Sequence, residues 1–172
     1  MKLFKNNQKG FTLIELLVVI GILAVLLAIT LIAINPARQF AQANNTQRSS
    51  DVNTILNAVN QFMADNKGVL PTALLDTCIL GASCTLSEDN DPLTTADVNL
   101  CSEVVSDYLA ALPGDPQTAT ANIPVTEAVC ATVGLVYDTG YEIYIGGNNR
   151  ITVSAPDAET IGTVTPDISV TR

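Results

Sequence analysis

The chain is 172 residues long and 48% hydrophobic, enough apolar material for one domain core and a membrane segment besides. With 17 acidic against 8 basic residues its formal charge is −9, which argues against nucleic-acid binding through a basic face and for a mutually repelling exterior. Histidine is absent, as are a Gly-x-Ser-x-Gly elbow, a phosphate-binding glycine loop and a metal-ligand signature, so neither an enzyme nor a cofactor is expected.

Met1 to Gly10 is short, basic and polar, carrying Lys2, Lys5 and Lys9. A secretory signal places its apolar segment ahead of the cleavage site. Here the apolar segment follows the basic stretch, so a cut after Gly10 leaves the anchor on the mature chain. The lysines hold the N-terminus on the cytoplasmic side and leave the rest facing outward. Without these three, 5 basic residues remain against 17 acidic ones, a balance of −12.

Lys9-Gly10-Phe11-Thr12-Leu13-Ile14-Glu15 comes next and runs straight into the apolar stretch Leu16 to Ile34. Those 19 residues make roughly 28 Å of helix, close to the ~30 Å hydrocarbon core of a bilayer. Gly21 and Thr30, the only non-apolar members, are both common in membrane helices. Glu15 is the odd residue, because a carboxylate costs roughly 2.5–3.5 kcal/mol near a bilayer centre and therefore calls for a partner. A cut between Gly10 and Phe11 creates an α-amino group four residues before Glu15. In a helical stack of such chains, one carboxylate then meets a neighbour's ammonium inside an otherwise apolar core.

Lys-Gly followed by Phe-Thr-Leu-Ile-Glu and an apolar helix resembles the class III signal of type IV pilins and type II secretion pseudopilins. The resemblance covers about Met1 to Leu70. It implies that Gly10 ends the leader, that Phe11 is the N-methylated first residue of the mature chain, and that Glu15 recruits and registers subunits in a filament. The partners it implies are a prepilin peptidase, other copies of the chain in a helical filament, an ATPase-driven assembly platform, and membrane lipid before assembly. The implied location is the bacterial cytoplasmic membrane first and a surface pilus afterwards. A pseudopilin that drives protein export is the alternative within the class, and a monomeric membrane-anchored extracytoplasmic binding protein is the alternative outside it.

Pro36 should kink or locally melt the helix, and the resemblance makes that a melting point on filament entry. From Arg38 the chain turns amphipathic: Val52, Ile55, Leu56, Val59, Phe62 and Met63 recur at helical spacing on one face, expected to lie on a sheet. Asn66-Lys67-Gly68 supplies the stop and Pro71 prevents resumption. A helix unbroken from Phe11 to Asn66 would hold 56 residues and reach about 84 Å.

Leu70 to Pro124 reads as a long excursion with little strand alternation, containing a short helix within Ala96 to Leu112. Ser87 to Asp91 gathers oxygen ligands of the kind calcium prefers, Glu88 to Asp91 being the acidic part, but lacks the spacing of a calcium loop and reads as a solvated acidic loop. Cys78, Cys84, Cys101 and Cys130 all follow the anchor, and their even number favours two disulfides. Of three connectivities, Cys78 with Cys84 and Cys101 with Cys130 is favoured. Zinc is disfavoured by the missing CxxC pair and the missing histidine. Alternation predicts strands at Ala128 to Val136, at Tyr141 to Ile145 and, after a Gly146-Gly147-Asn148-Asn149 turn, at Arg150 to Ser154, with Ala155 to Arg172 adding an edge strand or staying loose. The expected architecture is an α+β pilin fold with disulfide-stabilised loops: leader 1–10, membrane-spanning or filament-core half-helix 11–36, amphipathic half-helix 37–67 and a globular head 68–172 on an antiparallel sheet.

Overall fold

An apolar run of this length satisfies its backbone without water by coiling, and Leu13–Ile34 forms helix α1. The structure, a computed structural model, describes residues 10–78, 83–88, 98–117, 119, 124–132, 136–148 and 150–172. The chain divides into two units between Gln39 and Phe40. In the first unit no residue of α1 is buried, and its mean hydropathy reaches 3.2. The helix stops at Asn35, whose φ of 46° and ψ of 79° lie in the left-handed region that asparagine tolerates. Pro36 opens α2, Pro36–Asp65, at the first helical position, where a missing N–H costs nothing. Asn35 Oδ1 accepts the Arg38 N–H at 3.4 Å and so caps the second helix after ending the first. In place of a kink inside one long rod, the helical ladder is cut one residue before the proline.

The second unit is built on the rest of α2. Val52, Ile55, Leu56 and Val59 are buried with Ala58, as the 3.6-residue spacing predicts, while Phe62 and Met63 sit half-buried at the rim. Phe62 meets Tyr108 edge-on, ring centroids 5.8 Å apart. On the outer face, small polar side chains close on their own helix: Thr46 Oγ1 donates to Gln42 O at 2.8 Å, and Asn53 Nδ2 to Ser49 O at 2.7 Å. Lys67 and Gly68, at φ of 58° and 85°, end α2, with the Gly68 N–H on Met63 O at 2.7 Å. Helix α3, Thr72–Thr77, follows Pro71.

The sheet is antiparallel and four-stranded, in the order β1 (Ser83–Glu88), β4 (Tyr137–Ile145), β5 (Ile151–Ala155), β6 (Ile168–Thr171). Along β4, Tyr137, Thr139, Tyr141, Ile143 and Ile145 point inward, and Ile151, Val153 and Ala155 do so along β5, joining the stripe of α2 in one core. The β4–β5 register pairs Ile145 with Ile151 and Glu142 with Ser154, the hairpin expected around Gly146-Gly147. The tail supplies the edge strand, Val170 opposite Val153. Tyr141 is buried and its hydroxyl donates to Asp51 Oδ2 at 2.9 Å. Burial pushes the Tyr141 phenol up, the neighbouring Asp51 adding to it, and burial likewise raises Asp51 against the pull of the tyrosine hydrogen bond.

Three segments differ from their expectation. Strand β1 lies inside the excursion expected to show little strand alternation; its alternation is short, with Cys84 and Leu86 inward, and it exists as a strand only because β4 offers a partner. The helix expected within Ala96 to Leu112 is a single turn, α4 (Cys101–Val104), ended by Ser106 at φ of 78°; a two-residue strand β2 (Ala111–Leu112) then pairs with β3 (Val125–Thr126). At the start of the segment expected as a strand at Ala128 to Val136, the chain instead makes a helical turn, α5 (Glu127–Cys130), placing Val129 and Cys130 against the core.

Disulfides join Cys78 to Cys84 and Cys101 to Cys130, across separations of 6 and 29 residues. Chain-entropy scaling makes the longer loop the stronger tie, about 3.5 against about 2 kcal/mol. Serine at both Cys101 and Cys130 should therefore lower the melting temperature of the full chain in detergent more than serine at both Cys78 and Cys84. The opposite order would mean that native-state packing, not loop closure, sets the contribution.

Candidate functional site

Gly10 and Phe11 precede α1 in exposed, non-helical chain, the kind of backbone a peptidase can extend across its cleft, and Phe11 is 89% exposed. Thr12 is the N-cap. Its φ of −81° and ψ of 151° turn the chain into the helix, and its hydroxyl oxygen accepts the Glu15 N–H at 3.3 Å. In return Glu15 Oε2 accepts the Thr12 N–H at 2.8 Å and the Thr12 hydroxyl at 2.6 Å, completing a reciprocal capping box. Sequence reasoning gave Glu15 an assembly role and passed over Thr12, although the Thr-x-x-Glu spacing ahead of an apolar run is the legible signal for it. Glu15 Oε1 makes no hydrogen bond among the described residues, so one oxygen holds the chain's own helix and the other is available to a cation.

Past this point α1 presents apolar side chains on every side, with Leu17, Val18, Leu26 and Leu31 all more than half exposed or close to it. Thr30 breaks the pattern only in composition: its hydroxyl donates to Leu27 O at 2.9 Å, leaving no polar group facing outward unpaired there. Such a helix fits membrane anchoring by length and composition. Pro36 lies in the first unit with Glu15 but 21 residues further along, at the start of α2, and the two do not form one site.

The second unit holds another polar constellation, which sequence reasoning missed. Arg48 is fully buried; its Nε and Nη2 engage the Asp115 carboxylate, the latter at 3.0 Å, and its Nη1 reaches Asn45 Oδ1 at 2.9 Å and Glu159 Oε1 at 3.3 Å. Hydrogen bonding to Asp115 holds the guanidinium firmly charged. Asn44-Asn45-Thr46 has the spacing of a glycosylation sequon, but Asn44 Nδ2 donates to Glu159 Oε1 at 2.6 Å and the Thr46 hydroxyl to its own helix, so these side chains are taken up by packing. Cys78, Cys84, Cys101 and Cys130 are bridged as described and offer no thiolate ligands. Among the described residues no group of three or more His, Cys, Asp or Glu is placed to hold a metal; most of the acidic loop, from residue 89 on, lies outside them.

Residues 5–31, about a sixth of the chain, match the family model of the prokaryotic N-terminal methylation motif, the class III signal of type IV pilins and pseudopilins. The match takes in Gly10, Phe11, Thr12, Glu15 and most of α1. No curated protein and no solved structure matches the chain significantly.

Proposed function

We propose that this chain is a structural subunit of a type IV pilus, made as a precursor, cut between Gly10 and Phe11 by a prepilin peptidase, N-methylated at Phe11, and polymerised through α1. In this reading residues 1–10 are the leader, 11–36 the membrane and filament-core segment, 37–67 the amphipathic half and 68–172 the head. The observation that supports it most directly is the methylation motif running into a helix that is apolar on all sides and carries one carboxylate, Glu15, with an uncommitted oxygen at its front end. In lipid the helix is solvated by acyl chains; in a filament it trades those contacts for the helices of sister subunits, and Glu15 meets the new Phe11 ammonium of a neighbour. An assembly platform with its ATPase would supply the work of extraction. A pseudopilin shares all of these features, and the motif fits it equally; long surface fibres favour the pilus and blocked protein export on deletion favours the pseudopilin.

Intact mass and N-terminal sequencing of sheared surface fibres test the reading. The expected chain begins at methylated Phe11, and Gly10→Leu should accumulate as an unprocessed precursor while remaining in the membrane. Fibres whose subunit starts at Met1, or an absence of the chain from any polymer, would reduce it to a membrane tether for its head.

A further inference from the structure

Between β5 and β6 the chain leaves the sheet for residues 156–167, none of which is buried. The excursion is organised on itself. The Ile161 N–H donates to Val164 O at 2.8 Å, Gly162 turns the chain between them at φ of 74°, and the Thr160 and Thr165 hydroxyls meet at 2.7 Å. Among the described residues, its hydrogen bonds to the rest of the second unit all converge on Glu159. Asn45 grips the Glu159 backbone from both sides, Nδ2 to the carbonyl at 2.7 Å and Oδ1 from the N–H at 2.9 Å, while the Glu159 carboxylate takes Asn44 and Arg48.

We propose that residues 156–167 form a releasable strap latched onto α2 at Glu159 by Asn44, Asn45 and Arg48. Two observations make it releasable rather than merely attached. Opening orphans no buried charge, because Arg48 keeps both bonds to Asp115 and its Nη1 bond to Asn45, and the Glu159 side chain, already 23% exposed, returns to water. Both ends of the strap are fixed independently: β5 is held by β4, and β6 by its ladder to β5 and by Arg172 Nη1 on Asn57 Oδ1 at 2.7 Å. The strap thus lifts between anchored ends as a local opening, below the free energy of global unfolding. Ile161 and Pro166 on it, with Ile168 at its end, form one wall of an open groove of about 780 Å³ whose other wall is the outer face of α2 around Gln42, Ser49 and Asn53; release removes that first wall.

Hydrogen exchange read by mass spectrometry on the full chain in detergent micelles tests this. The Glu159 amide, whose N–H bond to Asn45 crosses the latch, should exchange by local opening, at a rate insensitive to low denaturant, while amides of β4 and β5 wait for global unfolding. Glu159→Ala should accelerate the amide at position 159 by about tenfold or more and leave β4 and β5 unchanged. Asn44→Ala, which deletes one bond and keeps the Asn45 grip, should act in the same direction by less, and serves if the first variant does not fold. Unchanged exchange at position 159 in both variants, or exchange there rising in step with β4 and β5, would overturn the proposal.

Discussion

Glu15→Gln enters the membrane at the wild-type level, but its share of sheared fibres falls about a hundredfold. Glutamine at the third helical position still completes a capping box with Thr12, so the start of α1 survives and only the charge is lost. Under the filament reading the Phe11 ammonium of a neighbour is then left buried without its counter-charge. Removing one partner of a buried pair costs about 3–5 kcal/mol, and about 2.7 kcal/mol already corresponds to a hundredfold. Thr12→Val makes the complementary test: the carboxylate stays but loses the hydroxyl that aims it and the cap for its own N–H, for an expected cost near 1 kcal/mol and a several-fold drop. Quantitative immunoblots of membrane and sheared fractions report both numbers. Wild-type fibre content in Glu15→Gln would show that the carboxylate serves only as a helix cap.

Arg48→Met should be the most damaging single change in the second unit. It leaves the Asp115 carboxyl without its counter-charge in a site where Arg48 and Asp115 both have fully buried side chains, a loss of about 3–5 kcal/mol, or a fall of about 10 °C or more in melting temperature for a unit of this size. The double variant Arg48→Met with Asp115→Leu removes both charges together and should recover part of that loss, although Gln117 then loses the carboxylate its N–H donates to at 2.8 Å. Circular dichroism melts of the full chain in micelles decide it. A loss below about 1 kcal/mol in the single variant, or a double variant less stable than the single, would contradict the view of Arg48 as a charge stabilised by its partner.

What the sequence makes legible here is what depends on neighbours along the chain. The apolar run and the stripe Val52, Ile55, Leu56, Val59 are local, and each appears in space close to where spacing placed it; the Thr12 cap and the break at Asn35 are local too, though the spacing was not followed that far. Arg48 shows the limit. An arginine on a helix reads as solvent-facing, yet the buried stripe of α2 runs on backward through Arg48, Asn45 and Ala41 at the same spacing, a periodicity that goes unseen when only apolar residues are tracked. The groups that justify burying it, Asp115 and Glu159, lie 67 and 111 residues away. Strand β1 was invisible for the same reason, since its pairing comes from β4. The turn at Glu127–Cys130 misled in the other direction: alternation of small apolar residues there serves one helical turn whose outer half meets water.

Thr12, Glu15 and Thr30 together give α1 an uncommon independence. Both hydroxyls and one carboxylate oxygen are answered from within the helix, so whatever surrounds α1, lipid or, under the filament reading, sister helices, has only the second Glu15 oxygen left to satisfy. Under that reading the two surroundings differ for the helix at a single atom, and the neighbour that brings a positive charge to it is the one the helix favours.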